Sequence, residues 1–358
     1  MTIWGKNSGK QASRVLFKIV KTSQFDYLLP KYLIAQTPME PRDHSRLMVV
    51  DRKSDEITHA FFYQIGKFLH QGDLLVLNRT RVIPARIFAQ KPSGGKVEIL
   101  LTRKEDEITW EALISGKNVK IGTELTISHQ LNATLLEDLG TYKRKIQFDR
   151  PVEDYLSKFG QMPLPPYIHK KLQDAERYQT VYSDRIGSAA APTAGLHFTH
   201  ELMDILMKDG IEFAEITLHI GLDTFAPVKE ENAEEHQIHS EWCEVTDDTA
   251  QKINFAHRDG RRIIAVGTTT ARTLESAVRK NKNGDIVQPF SGMTRLYILP
   301  GFNFMVIDGL ITNFHLPQST LLMMVSAFAG WENISRWYAA AIKEQYRFYS
   351  FGDAMFIQ

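Results

Sequence analysis

The sequence contains a single cysteine, Cys243, among its 358 residues. One cysteine excludes an intramolecular disulfide, a zinc site built from cysteines alone and an iron–sulfur cluster, and it is typical of a reducing cytoplasm. The chain also lacks a long apolar run, since the longest, near Leu321–Ala329, is too short to cross a bilayer. It shows neither a secretory signal pattern nor an internal repeat. We therefore expect a cytoplasmic protein that does not associate with membranes.

An excess of charge of either sign is also missing. Lysine and arginine number 43 and aspartate and glutamate 42, which gives a net charge of +1. No global field therefore recruits nucleic acid, and a nucleic-acid partner would need local basic patches. A hydrophobic content of 43% and a charged content of 24% are those of a globular protein, and the length suits two domains.

Several common catalytic signatures are absent. The GTTT stretch at 267–270 follows a predicted strand and opens a helix, a geometry that suits an anion, but the Gly-Lys-Ser/Thr of a Walker motif is missing. No GxSxG elbow, Ser-His-Asp order or GxGxxG fingerprint is present. These absences argue against a P-loop nucleotidase, an α/β-hydrolase and a dinucleotide-binding enzyme.

The chain divides into three parts that differ in composition and in the pattern of apolar residues. Residues 1–24 carry no acid and form a basic extension, either an amphipathic helix that touches RNA or a membrane surface or a loosely ordered tail. Residues 72–150 are almost entirely β and predict an inserted small β-barrel domain. Residues 25–71 and 151–358 alternate strands and helices and predict a layered α/β sheet domain that carries the catalysis. The predicted barrel strands are Leu74–Leu77, Val82–Phe88, Val97–Leu101, Thr109–Ile114, Leu125–Ile127 and Lys143–Phe148.

Candidate site residues cluster at predicted strand ends and tight turns. In GSAAAPTAGLHF (187–198), Thr193 and His197 precede a helix capped by Thr199, which suits a polar or anionic ligand or, alternatively, a packed connection with a core histidine. His219 ends the predicted strand 211–220, and His315 follows a strand predicted at Met305–Ile307. Ligands of α/β sheets bind at the carboxyl ends of strands, where the GTTT loop also falls.

Two further groups of residues contain side chains that are suited to catalysis or to binding a ligand. EEHQIH (234–239) brings together Glu234, His236 and His239. On a helix these side chains could bind a metal ion, although a third ligand is not obvious, or they could act as acid, base and ribose-binding groups. We expect no metal. Arginines suited to phosphate or carboxylate contacts, or to solubilising a surface, lie in three places. They are Arg42 and Arg46 in EPRDHSR, Arg79, Arg81 and Arg86 with Asn78 in NRTRVIPAR, and Arg272 after GTTT.

From Phe25 onwards the motifs together resemble one family, the S-adenosylmethionine:tRNA ribosyltransferase-isomerases of queuosine biosynthesis. The stretches that carry the resemblance are FDYLLP, EPRDHSRL, GDLLVLNRTRVIPAR, GQMPLPPYI, ERYQTVY, GSAAAPTAGLHFT, TLHIGLDTFAPV, EEHQIHSEW, AVGTTTARTLES, TNFHLPQSTLLMMVSAFAG and YRFYSFGDAM. Three positions depart from the family pattern: Arg79 stands where Asn or Asp is usual, Asp223 where Gly is usual, and Thr270-Ala271 where Ser-Val is usual.

The resemblance implies that the ribosyl part of S-adenosylmethionine is moved onto the aminomethyl-deazaguanine base at the tRNA wobble position and isomerised. Epoxyqueuosine-tRNA forms, and adenine and methionine leave. S-adenosylmethionine would be the co-substrate, tRNA the partner and no further cofactor required, with the protein acting as a monomer.

The sulfonium acidifies the neighbouring ribose carbon, so a neutral histidine can serve as base. His219 is the first candidate, with His197 and His315 beside it; Glu234, His236 and His239 are second choices. Expected substrate-binding residues are Arg42, Arg46, Asn78, Arg81, Arg86, Thr193, Thr268, Thr269 and Arg272. Two other functions fit less well, a non-catalytic RNA-binding protein and an ordinary methyltransferase.

Overall fold

A computed structural model describes residues 20–128, 131–140, 143–221, 224, 227–279 and 284–358. Its strands are β1 (Arg46–Val50), β2 (Ile57–Phe61), β3 (Leu74–Asn78), β4 (Thr80–Val82), β5 (Arg86–Gln90), β6 (Lys96–Lys104), β7 (Thr109–Ser115), β8 (Glu124–Ser128), β9 (Leu131–Gly140), β10 (Lys143–Phe148), β11 (Arg185–Ser188), β12 (Glu212–Leu218), β13 (Glu241–Val245), β14 (Ile263–Val266), β15 (Phe290–Thr294), β16 (Gly309–Asn313) and β17 (Ala354–Ile357).

The α-helices of the described residues are α1 (Glu153–Phe159), α2 (His200–Lys208), α3 (Asp247–Arg258), α4 (Thr268–Ser276), α5 (Thr320–Ala329) and α6 (Trp331–Lys343). Short 3₁₀ turns lie at Thr22–Phe25, Lys31–Leu33, Arg42–His44, Phe62–Phe68, Ala175–Tyr178, Thr193–His197 and Ala233–Glu235. Thr199 and Ser319 cap α2 and α5 by accepting from the backbone N–H groups of Leu202 and Leu322. Among the described residues, no helix combines the length and the apolar character that a membrane span needs.

The predicted fold class is confirmed, because the protein combines a large α/β sheet with a closed six-stranded barrel. The sheet has the order β15-β13-β12-β3-β14-β16-β17-β1-β2. Its centre is parallel: β12, β3, β14 and β16 run in one direction, so their carboxyl ends meet at one edge. The barrel has the order β10-β7-β6-β5-β8-β9, and β4 pairs only with β11 in a separate two-stranded sheet.

Strand β3 corrects the prediction that Leu74–Leu77 belongs to the barrel. Its apolar side chains alternate between two cores, with Leu74 and Val76 on one face of the sheet and Leu75 and Leu77 on the other. A parallel central strand is buried on both faces and therefore reads as a continuous apolar run, which local pattern alone does not distinguish from a barrel strand. The barrel strands begin only at β5.

Two other strands were wrong in position. Residues 305–307 form no strand; the backbone N–H groups of Met305 and Val306 donate to the Glu275 carboxylate instead, and the strand that precedes His315 is β16. The sequence also predicts a last strand over Arg347–Ile357, but the strand in the structure, β17, covers only Ala354–Ile357.

The predicted extension 1–24 lies outside the described residues up to position 19. Beyond that point the chain joins the sheet domain: the Val20 N–H donates to Glu234 Oε1 at 2.8 Å, and Thr22 is buried.

Candidate active site at the carboxyl edge of the sheet

Two adjoining cavities open where the parallel strands end. The larger encloses about 600 Å³, part of it open to solvent, and the smaller about 360 Å³. Thr224, Thr268, Thr269 and Leu321 line both cavities, so the two form one cleft. The larger cavity is also lined by His236, His239, Glu241, Arg272, Tyr297 and Met324, and the smaller by Pro192, Thr193, Gly267, Thr312, Asn313 and His315.

Helix α4 begins at the floor of this cleft. Gly267 has φ of 93°, a left-handed conformation that glycine adopts without strain, and it lets the chain turn from β14 directly into the helix. Thr268 and Thr269 therefore stand at a helix N-terminus, where backbone N–H groups and the helix dipole favour an anion. Asn78 buttresses this turn, since its Nδ2 lies 3.3 Å from Thr269 Oγ1 and its side chain also bonds both backbone groups of Leu218.

His315 lies in the wall of the smaller cavity. It follows β16, is 7% exposed, and its Nε2 is 2.7 Å from Thr312 Oγ1. Burial lowers the pKa of His315 to about 3, so the ring is neutral at pH 7. When Nε2–H donates to Thr312, the Nδ1 lone pair is left without a partner among the described residues. A neutral imidazole with one nitrogen anchored has the properties of a general base.

Thr193 also faces the smaller cavity, at the start of the 3₁₀ turn that contains His197. His197 is 4% exposed and lies behind the cleft wall, between Ser45 and Asn313. Its other side borders a separate pocket of about 260 Å³ with Arg42, Arg177 and Phe351. Of the two predicted residues of this loop, Thr193 thus borders the cleft and His197 supports it.

His219, the first candidate for the base, lies elsewhere. Its Nδ1 is 2.9 Å from Thr80 Oγ1, and its ring stacks on Trp242 with the centroids 5.2 Å apart. A side chain at Gly187 would collide with it, because a Cβ there would lie 2.7 Å from its Cε1. His219 is absent from the residues that line the two cavities. It follows β12 as predicted, but its ring occupies the face of the strand end that points toward β4 and β11.

Arg272 borders the larger cavity but is engaged by the protein. It is 8% exposed, forms an ion pair with the buried Glu241, and donates to the carbonyls of Leu296, His239 and Thr294. Glu241 Oε1 in turn accepts from Gly221 N at 2.8 Å and Thr224 Oγ1 at 3.1 Å. The pair therefore ties together the segments that surround the cavity. The substrate contact predicted for Arg272 stays a prediction, since Arg272 lines the larger cavity beside this pair.

The EEHQIH stretch is not a helix but a 3₁₀ turn followed by extended chain. His236 and His239 line the larger cavity, and His236 Nδ1 lies 2.9 Å from Glu230 Oε2, which helps lower the pKa of Glu230. Glu234 accepts from Val20 N and is not among the cavity residues. Within the described part of the chain, no three His, Cys, Asp or Glu side chains converge as metal ligands.

The remaining predicted arginines hold other parts of the protein. Arg42 donates to the carbonyls of Gln179 and Leu196, and burial lowers its pKa. Arg46 stacks over the Tyr346 ring at 3.8 Å and donates to Glu344 O. At the barrel side, Arg81 pairs with Glu176 and Arg86 with Glu98. None of the four lines the cleft.

Two of the three departures from the family pattern, at Arg79 and at Thr270, lie outside this wall or behind it. Arg79 follows β3 among acidic groups, with Nη1 3.7 Å from Asp184 and 3.6 Å from Glu215. Thr270 is fully buried and donates to Val266 O at 2.8 Å inside α4. Asp223 lies outside the described residues.

Sequence reasoning missed three residues of the site: Glu241, Thr312 and Asn313. Thr312 and Asn313 fall in TNFHLP and could have been noted there as hydroxyl and amide groups at a strand end. Glu241 carried no local signal, because its partners Gly221, Thr224 and Arg272 are 17 to 31 residues away.

Comparisons with known proteins agree on one family. The family model described as queuosine biosynthesis protein matches residues 22–357. A protein named S-adenosylmethionine:tRNA ribosyltransferase-isomerase from Carboxydothermus hydrogenoformans is 52% identical over 342 residues, which cover 94% of this chain and all of the relative. One of the same name from Caldanaerobacter subterraneus is 51% identical over 343 residues, with the same coverage. The crystal structure of an S-adenosylmethionine tRNA ribosyltransferase from Thermotoga maritima is 40% identical, covers 94% of this chain and all of that chain, and has a TM-score of 0.55.

Proposed function

Because this chain belongs to the S-adenosylmethionine:tRNA ribosyltransferase-isomerases of queuosine biosynthesis and is thus a transferase-isomerase, we propose the specific reaction that it catalyses. It transfers the ribosyl moiety of S-adenosylmethionine to the aminomethyl group of the deazaguanine base at the tRNA wobble position. The pentose is isomerised to the epoxide of epoxyqueuosine-tRNA, and adenine and methionine are released. The observation that supports this best is a cleft in which a helix N-terminus and a neutral, buried histidine line the same cavity.

The helix N-terminus suits the methionine end of S-adenosylmethionine. Thr268 and Thr269 open α4 in the smaller cavity, and their backbone N–H groups can bind a carboxylate. This arrangement would hold the sulfonium and the ribose carbon beside it near the wall that contains His315.

The chemistry then needs a base that is uncharged at pH 7. The proton beside sulfur is the one that the sulfonium acidifies, and a desolvated imidazole can remove it because its lone pair is free of bulk water. His315 fits this role, since it borders the cavity and burial keeps its imidazole uncharged at pH 7. We assign the base to His315 in preference to His219, which is absent from the cleft lining.

A second histidine suits the leaving group. Adenine departs more easily when protonated, so an acid must be within reach. His236 lines the larger cavity, and its Nδ1 lies 2.9 Å from Glu230 Oε2. We propose His236 as this acid, with His239 as the alternative in the same wall.

The remaining features follow from the same proposal. The protein acts as a cytoplasmic monomer, and S-adenosylmethionine is the only small molecule it requires besides the tRNA. The barrel and the Arg81 and Arg86 side chains beside it would contact tRNA phosphates, which carry no sequence information but position the anticodon.

One assay tests the reaction. Purified protein is mixed with S-adenosylmethionine labelled separately in adenine and in methionine, with or without tRNA that bears the aminomethyl-deazaguanine. We expect adenine and methionine to be released in equal amounts and only with that tRNA. Formation of S-adenosylhomocysteine would show a methyltransferase instead, and tRNA binding without either product would show a non-catalytic RNA-binding protein.

A further inference from the structure

We propose that His197 is a positioning residue, which fixes the Asn313 amide and, through it, the Thr193 hydroxyl that faces the cleft, without taking a proton from substrate. The inference rests on the proposed function of the cleft, but its central claim concerns the protonation of one nitrogen and is measurable without turnover.

The argument begins with a chain of four side chains from the protein interior to the cleft. Ser45 Oγ lies 2.7 Å from His197 Nδ1, and His197 Nε2 lies 3.2 Å from Asn313 Nδ2. Thr193 Oγ1 donates to Asn313 Oδ1 at 2.9 Å. Thr193 and Asn313 line the smaller cavity, whereas Ser45 and His197 do not. His197 therefore reaches the cavity only through the side chain of Asn313.

The Asn313 amide can adopt only one orientation in this setting. Its Nδ2 also lies 3.3 Å from the carbonyl oxygen of Tyr349, which can only accept a hydrogen bond. The amide nitrogen must therefore face Tyr349 and His197, and the amide oxygen must face Thr193. It follows that His197 Nε2 accepts from Asn313 and carries a lone pair.

The proton of the neutral His197 ring is then on Nδ1, where it is donated to Ser45 Oγ. Both ring nitrogens are thus occupied by protein groups, and neither is available to a ligand in the cleft. A base needs a lone pair within hydrogen-bond reach of the proton it removes. His197 fails this condition, whereas His315 has one ring nitrogen without a partner among the described residues.

The surroundings of His197 favour the neutral ring. Burial, with the guanidiniums of Arg347 and Arg42 as additional causes, lowers the pKa of His197 to about 3. Phe62 stacks on the imidazole with the ring centroids 5.0 Å apart. Since no carboxylate is among the causes of this shift, a second proton on the ring would be unfavourable throughout the physiological range.

The backbone at Tyr349 supports a role in positioning. Tyr349 has φ of 71°, in the left-handed region that residues with a side chain rarely adopt. Its N–H donates to Phe314 O, and its carbonyl accepts from Asn313. Such strain persists where the surrounding structure requires it, and here it presents to Asn313 the acceptor that fixes the amide orientation.

The first test is nitrogen-15 NMR of the histidine rings in wild-type protein, with His197 assigned by comparison with His197→Gln. We expect His197 to show a protonated Nδ1 and an unprotonated Nε2, with no titration between pH 5 and pH 9. A protonated Nε2, or a titration with a midpoint near the ordinary value of about 6.5, would overturn the proposal. The protonation state is read in the unmodified, substrate-free protein, and the variant serves only to assign the signal, so the result is independent of whether the proposed reaction is correct.

The second test separates positioning from proton transfer. Glutamine at 197 can still accept from Asn313, so His197→Gln should lower kcat less than about 10-fold, whereas His197→Ala should lower it roughly 10- to 100-fold through misplacement of Thr193. The KM for S-adenosylmethionine should change little in either variant. Loss of more than about 10²-fold in His197→Gln would identify His197 as the base and overturn the proposal.

His59→Gln is the matched control. His59 is another histidine bonded to a hydroxyl, that of Tyr346, and it lies outside the cleft. The same exchange there should leave kcat unchanged. If wild-type protein releases no adenine at all, the proposed reaction fails, and the NMR result still decides the role of His197.

Discussion

The barrel and the carboxyl edge of the sheet differ in how far they bury their charged side chains. On the barrel, charged groups pair at the surface: Lys104 of β6 and Glu153 of α1 have side-chain exposures of 42% and 45%, and Lys145 of β10 reaches both Glu105 and Glu137. At the sheet edge, the paired side chains of Arg272 and Glu241 are only 10% and 5% exposed. Solvent screens the first set of charges and leaves the second strongly coupled.

Under the proposed function, the exposed pairs belong to a surface that would contact tRNA and the buried pair to the site that would do chemistry. Exposed pairs contribute little to stability and can exchange their partner for a phosphate at small cost. Buried groups are fixed in place, and burial shifts their protonation, as the low pKa values of His197 and His315 show. Of these two histidines, His315 borders the cleft and His197 lies behind its wall. Three experiments can break or sharpen this comparison.

The largest effect is expected at His315. His315→Asn removes the proposed base but keeps a side chain of similar volume, so kcat for adenine release should fall roughly 10²- to 10⁴-fold. Affinities for S-adenosylmethionine and tRNA, measured by calorimetry, should stay nearly constant. His219→Asn is the matched control at another strand end and should retain near-normal kcat. If kcat instead falls in His219→Asn and stays near normal in His315→Asn, then His219 is the base and the reaction takes place outside the cleft.

A smaller effect, on stability, should distinguish the two kinds of ion pair. Arg272→Met leaves Glu241 buried without its partner, which should cost about 3–5 kcal/mol in the free energy of unfolding by urea. Lys104→Met breaks an exposed pair on the barrel and should cost less than about 1 kcal/mol. Arg272→Met combined with Glu241→Leu should recover part of the loss, because no unpaired charge remains. Equal losses of unfolding free energy in the two single variants would mean that burial of an ion pair does not determine how much it contributes to stability.

The smallest effect is expected for tRNA binding. Arg81→Ala and Arg86→Ala should each reduce the slope of log affinity against log salt concentration by about one, if each arginine exchanges its glutamate for a phosphate. Arg258→Ala, which breaks the exposed pair with Asp285 on α3, is the control and should leave the slope unchanged. Unaltered binding in all three variants at low salt would show that the two arginines are only surface groups of the protein.

Local signals in the sequence were sufficient for several elements. The hydroxyl residues Thr199 and Ser319 mark the starts of α2 and α5 because a cap requires only neighbours three residues away. Alternating apolar residues indicated the barrel for a similar reason, since each barrel strand has at least one partner that is next to it in the chain. The sequence predicts Leu202, Ile205 and Leu206 as the apolar face of α2; Leu202 and Leu206 are buried, but Ile205 is 54% exposed.

The candidate site was predicted less completely, because its contacts join distant parts of the chain. The sequence indicates that His197, His219 and His315 follow strands or turns, but not which of them faces a cavity. That depends on Thr80, which is 139 residues from His219, and on Asn313, which is 116 residues from His197. Likewise, nothing in the sequence around Arg272 indicated its ion pair with Glu241, 31 residues away.

The position of β17 in the sheet has a consequence for synthesis of the chain. β1 and β2 join the sheet through β17, which lies between β16 and β1 and is made about 300 residues after them. At a translation rate of ~5–20 residues per second, β1 waits roughly 15–60 s for this partner. Ser45, which accepts from His197, immediately precedes β1. A nascent chain on the ribosome can therefore assemble the barrel early, whereas the cleft wall forms only when the segment at 354–357 has emerged.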